Sequence, residues 1–170
     1  MGLASQREHN SITIDGREPL RKATRFLYVP WPAGKVTTDP RRITATYEPL
    51  IFGDVGATWR RTVAVREGGG FKVEDGLIGV SGRTVRWHWR LAGGPWELGN
   101  GEVCRRSEGG TDVMTWRGPT AVTVRAVRAD ERSAAGWESR HYGTVLPAWS
   151  LILELQAEAD GEMVFEFLRR

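Results

Sequence analysis

The sequence is short of the residues on which most site chemistry depends. Its one cysteine, Cys104, excludes an internal disulfide and the paired-thiol zinc patterns. It has three histidines, His9, His88 and His141, and no H-E-x-x-H, G-x-S-x-G or P-loop pattern. Gly68-Gly69-Gly70 precedes no helical pattern, so it reads as a turn and not as a phosphate cradle. No apolar run approaches the ~18 residues of a membrane span. The first ten residues, MGLASQREHN, contain no apolar stretch of the kind a secretion signal needs. Lysine is scarce, limited to Lys22, Lys35 and Lys72. Arginine carries the positive charge, and it is spread along the chain instead of being gathered on one stripe. That spread argues against nucleic-acid binding. The net charge of +3 leaves room for an acidic ligand, which the planar fork of arginine suits.

A helical period is also missing. The dominant period is two. It appears in 11–15 (SITID), 43–47 (ITATY), 59–65 (WRRTVAV), 71–73 (FKV) and, most strictly, 85–91 (VRWHWRL). It returns in 113–116, 122–127, 150–155 and 163–168, while 26–29 (FLYV) is a short apolar run closed by Pro30-Trp31-Pro32. Alternation of this kind predicts half-buried strands, and the β-branched and aromatic content agrees. Between the runs lie Asp15-Gly16, Gly68-Gly69-Gly70, Gly93-Gly94-Pro95, Gly99-Asn100-Gly101, Gly109-Gly110 and Asp160-Gly161. Many short strands with frequent glycine turns predict an all-β, antiparallel sandwich or barrel. The best helix candidate, 129–137, is short and polar and reads as a loop. With no repeat or linker, residues 1–170 read as one domain.

Within 85–91, Trp87 and Trp89 face one way and Arg86, His88 and Arg90 the other. The tryptophans suit a core. The opposite face suits either plain solvation or an anionic chain, which makes Arg86, His88 and Arg90 the candidate substrate-binding residues. The eight tryptophans also permit a sugar platform, although core filling is the commoner use. His141-Tyr142 could form an acid–base pair, but it reads more simply as packing before Gly143.

His9 opens the first strand, in Arg7-Glu8-His9-Asn10-Ser11-Ile12-Thr13-Ile14-Asp15-Gly16. This segment resembles the His-Asn-Thr-Val-x-Val-Asp-Gly segment of the heparinase II/III-like polysaccharide lyases, in their C-terminal β-domain. Other pieces resemble the same family in the same order. They are Trp59-Arg60-Arg61-Thr62-Val63, Phe71-Lys72-Val73-Glu74-Asp75, Arg86-Trp87-His88-Trp89-Arg90-Leu91, and Ser139-Arg140-His141-Tyr142-Gly143 followed by Pro147-Ala148.

The resemblance implies a β-sandwich of the polysaccharide-lyase C-terminal type, incomplete at its N-terminal edge. It implies β-elimination on a uronic-acid polysaccharide such as heparan sulfate or alginate. The main catalytic residues would lie in a separate N-terminal helical domain, so none is assigned here. The family also implies a divalent metal, zinc or calcium, held by a His-x-His, a later Asp and the His of the His-Asn segment. Only His9 maps onto that set. One imidazole does not hold such an ion, so the isolated chain is expected to bind no metal tightly and to have no lyase activity. The implied partners are an anionic polysaccharide and the helical lyase domain, and the implied location is the bacterial cell envelope or periplasm. Two further readings stand beside this one: a non-catalytic sugar-binding sandwich, and an interaction domain that pairs through an exposed first edge.

Overall fold

In the computed structural model the described residues are 7, 9–19, 21–24, 27–29, 35–39, 44–52, 55–91, 93–118, 122–139, 141 and 143–170. Phe26, Pro30, Trp31, Pro32 and Ile43, named above in strand and turn readings, lie outside them. The strands run as β1 (Ser11–Ile14), β2 (Arg21–Lys22), β3 (Tyr28–Val29), β4 (Lys35–Asp39), β5 (Thr44–Phe52), β6 (Ala57–Val65), β7 (Phe71–Ile78) and β8 (Arg83–Leu91). They continue as β9 (Glu97–Leu98), β10 (Glu102–Ser107), β11 (Gly110–Arg117), β12 (Thr123–Arg128), β13 (Trp137–Glu138), β14 (Leu146–Pro147), β15 (Trp149–Ala157) and β16 (Gly161–Arg169).

Two antiparallel sheets hold most of these strands. The smaller has the order β1-β8-β15-β12, the larger β4-β5-β6-β7-β16-β11-β10-β9. Their inner faces follow from the period-two pattern. Val85, Trp87, Trp89 and Leu91 of β8 join Leu151, Leu153 and Leu155 of β15 in one layer. Val73 and Leu77 of β7, Met114 of β11, and Met163 and Phe165 of β16 form the other. Aromatic edges lock the layers together. Trp89 meets Phe165 at 4.8 Å and Phe167 at 5.1 Å between ring centroids, and Trp87 meets Phe165 at 6.2 Å. Of the sandwich and barrel that the alternation left open, the sandwich is the fold, and the tryptophan pair is in its core.

Several elements escaped the pattern. β10 reads EVCRRS, where one apolar residue is followed by charge, so its alternation is hidden. β4 (KVTTD) is similarly polar. Residues 129–137 form no helix, as expected. Gly136 turns the chain there with a φ of +79°, and Trp137 enters β13. The Gly68-Gly69-Gly70 turn closes the β6–β7 hairpin. Gly70 is obligatory by two criteria: its φ is +84°, and a Cβ on it would lie 2.1 Å from the Phe167 carbonyl oxygen.

Candidate functional site

On the outer face of the small sheet, β8 presents Arg86, His88 and Arg90, as the alternation requires. Of the three, His88 is buried, only 7% exposed. The reason lies in β1, which pairs Ser11 with His88 and Thr13 with Arg86. Thr13 Oγ1 stands 3.3 Å from His88 Nε2. Burial pushes the His88 pKa down to about 4, and the positive charges of Arg7, Arg86 and Arg125 push the same way. At neutral pH the ring is therefore uncharged. Arg86 is ion-paired with Glu154. Arg90 donates to the Trp137 carbonyl at 2.7 Å and lies 3.6 Å from Glu138. The two arginines stay partly exposed, but part of their charge is answered within the protein.

The His9-Asn10 segment sits at the start of β1, and Asn10 latches it. The Asn10 side-chain oxygen accepts the Arg90 backbone N–H at 2.8 Å. That N–H lies beyond the last β1–β8 pair, Ser11 with His88, so the side chain takes the place of a strand partner. The Asn10 carbonyl accepts from Arg61 Nη1 at 2.5 Å. His9 itself is exposed.

Arg61 leads inward to the most heavily bonded group in the core. Asp75 is fully buried. Its Oδ1 accepts from Trp59 Nε1 at 3.0 Å and from Arg61 Nε at 2.7 Å. Its Oδ2 accepts from Arg61 Nη2 at 2.6 Å and from Trp87 Nε1 at 3.1 Å. The guanidinium also lies against the rings of Trp59 and Trp89, 4.8 Å from each centroid. Each carboxylate oxygen has two donors, so the buried charge is fully answered. The cluster ties both sheets to the strand carrying His9-Asn10, which makes its role structural.

Beside Asn10 a cleft of about 400 Å³ opens between the sheets. The small sheet contributes Trp89 and Leu91; the large sheet contributes Phe71, Met114 and Phe167; Trp96 adds a further wall. Phe71 and Phe167 stack at 4.4 Å. The cleft also takes in a row of charge set by strand register, Arg105 of β10 opposite Asp112 of β11, and Asp112 opposite Arg169 of β16. Asp112 accepts from Arg105, whose guanidinium lies 5.3 Å from the Trp96 ring centroid. Arg169 Nε donates to the Gly109 carbonyl at 3.1 Å. Reading the sequence missed this row. Arg105 and Asp112 face each other only because the 107–110 turn sets the hairpin register.

Among the described residues no three His, Cys, Asp or Glu side chains converge on a point that could hold an ion. The donor set here is one exposed imidazole, and it does not fit a zinc or calcium site by itself. His141 is exposed, with its carbonyl used by Ser139 Oγ and the Thr144 N–H; Tyr142 lies outside the described residues.

The family model described as heparinase II/III-like, C-terminal, matches residues 3–165. The chain belongs to that family. A crystal structure of heparinase III superposes with a TM-score of 0.74 at 16% identity, covering 99% of this chain and 24% of that one. The heparan sulfate lyase HepC from Pedobacter heparinus gives 0.70 at 14% identity, covering 98% and 25%. Another heparinase III gene product gives 0.72 at 15%, again covering 98% and 25%. These likenesses establish a shared fold. The heparinase-type β-domain seen here spans about a quarter of the length of those proteins. Among curated proteins none matches the chain by sequence.

Proposed function

We propose that this chain is the β-domain of a polysaccharide lyase that cleaves a uronic-acid polysaccharide by β-elimination, and that the domain alone is not the catalyst. The observation that carries the reading is the family match across residues 3–165. In such a reaction a base takes the C5 proton, C5 and C4 become doubly bonded, and the C4–O4 bond breaks. An acid then protonates the departing oxygen. The uronate carboxylate must be neutralised for the C5 proton to be acidic enough. In the family, the groups doing this lie in the helical domain.

His9 is the residue we assign to the family's metal site, as one ligand of a set completed by groups beyond this chain. A bound ion would supply a fixed positive charge. What this chain contributes is the holding of His9: Asn10 and Arg61 fix the backbone on which the imidazole stands. Arg86 and Arg90 remain candidates for contact with an anionic chain, and His88 serves them as a neutral packing partner. The cell envelope is the location that goes with this function. A second reading, a non-catalytic sugar-binding domain, is favoured by the aromatic cleft beside Asn10.

The test is an absorbance assay for unsaturated uronate on heparan sulfate and on alginate. The purified chain is expected to generate none, and the same chain joined to a helical lyase domain is expected to generate it. Product from the chain alone overturns the claim of dependence. Coding DNA next to this chain that specifies no helical domain, with no separately encoded one that restores cleavage, overturns the lyase reading.

A further inference from the structure

We propose that the cleft between Trp89, Trp96, Phe71 and Phe167 is a binding subsite for an acidic sugar ring, held by this domain itself. The proposal rests on the polysaccharide reading for the identity of its ligand, but the site is argued from its own chemistry.

Three features point to a ligand. The first is shape and surface. The walls are aromatic and aliphatic, and Phe71 is 41% exposed, although it stacks on Phe167. Flat rings open to solvent match the apolar face of a pyranose better than they match water. The second is charge. The Arg105-Asp112-Arg169 row holds two guanidinium groups and one carboxylate. Arg105 is committed, because it donates to Asp112 and to the Gly93 carbonyl. Arg169 has its Nε on the Gly109 carbonyl and no carboxylate partner among the described residues. It is the one cationic side chain in the row left to meet an anion, and its fork suits a carboxylate or sulfate. The third is an orphan donor. Trp89 is 4% exposed and lines the cleft, yet its Nε1 has no hydrogen-bond acceptor. Buried indole N–H groups nearly always find one. The neighbouring indoles of Trp59 and Trp87 do, on Asp75. The Nε1 atom is itself sealed from solvent, so the ring edge must move for a ring hydroxyl or ring oxygen in the cleft to supply the acceptor that Trp89 lacks.

Together these features select a ligand with an apolar face, a hydroxyl or ring oxygen, and an acidic group: a uronate or sulfated sugar. A neutral sugar satisfies two of the three, and an acidic peptide lacks the ring hydroxyls.

The test is a nitrogen–proton NMR titration of the 170-residue chain, following the indole N–H signals. Trp89 is assigned by Trp89→Phe. The probes are a mannuronate hexasaccharide, a heparan sulfate hexasaccharide, neutral cellohexaose and a glutamate-rich peptide. The Trp89 indole signal is expected to shift with an acidic oligosaccharide and to respond much less to the neutral one. Arg169→Gln is expected to weaken acidic binding about tenfold, the loss of one charge-assisted hydrogen bond. Arg132→Gln, on the exposed 129–137 loop and outside the cleft lining, is expected to leave it unchanged. Saturation of the probes with no shift at Trp89 overturns the proposal, as does equal binding of cellohexaose. A shift produced by the acidic peptide and not by the sugars also overturns it and makes the cleft a peptide site. The failure modes separate cleanly. Cleavage by the domain-completed enzyme with Arg169→Gln binding as wild type leaves the lyase reading intact and removes the subsite. Acidic-sugar binding with no cleavage by any completed enzyme does the reverse.

Discussion

Asp75→Asn is the sharpest test of how this sandwich is held together. The substitution keeps size and shape but replaces one oxygen with an amide NH₂. Both Asp75 oxygens accept two hydrogen bonds, one from an indole and one from Arg61. Whichever way the amide turns, its NH₂ therefore faces two donors. Arg61, whose side chain is 13% exposed, also loses its counter-charge. Stranding one partner of a buried pair costs about 3–5 kcal/mol. An indole N–H left without an acceptor adds about 1–3 kcal/mol. The groups share oxygens, so the terms do not simply add. A net loss of about 5 kcal/mol is expected, a large share of the ~5–15 kcal/mol that stabilises a typical domain. The assay is urea unfolding. At a slope of ~2 kcal/mol/M, the midpoint should fall by roughly 2.5 M with the slope unchanged. Adding Arg61→Met to Asp75→Leu should recover part of the loss seen in Asp75→Leu alone, since no buried charge then remains, although the Trp59 and Trp87 indoles lack an acceptor in both. A single-variant loss below about 1 kcal/mol would refute the claim that this pair anchors the sheets. A double variant no better than the single one would refute the electrostatic account of the loss.

Three other outcomes are expected. His88 is neutral when folded, with its pKa lowered from 6.5 to about 4, so the unfolded chain binds a proton that the folded one refuses. Stability should be undiminished above pH 6.5 and fall as pH drops toward 4, by about 2 kcal/mol at pH 5 and about 3 kcal/mol in all. His88→Gln should flatten this window in urea midpoints, and an unchanged pH slope in that variant would assign the effect elsewhere. Gly70→Ala should destabilise more than Gly69→Ala. Both have positive φ and share the left-handed penalty of about 1–2 kcal/mol, but only Gly70 has a backbone oxygen in the way. Equal melting temperatures for the two would contradict this. Zinc titration calorimetry on the chain should detect no sub-micromolar site, because His9 has no converging co-ligands among the described residues; a tight stoichiometric site would show the reverse.

The period of two along the chain was enough to specify an antiparallel all-β fold, sandwich or barrel, and to put Trp87 and Trp89 inside it. A side chain's face on a strand is a local property, set by pleating alone. The ordered short motifs around His9-Asn10, Arg61 and Asp75 were also legible and indicated the family. What those residues do was not. Asp75 follows Val73 on an inward-facing period, which on its own suggests an impossible buried charge. Only the meeting of β6, β7 and β8 supplies the four donors that make it tolerable. Alternation put His88 on the outer face but did not give its burial, which comes from β1, distant in sequence, lying alongside it. The cleft row of Arg105, Asp112 and Arg169 comes from the registers of β10, β11 and β16. Strand order and register depend on pairings across up to 96 residues of chain, as between Phe71 and Phe167. Alternation carries no information about which strands become neighbours, so that part of the site belongs to the tertiary structure.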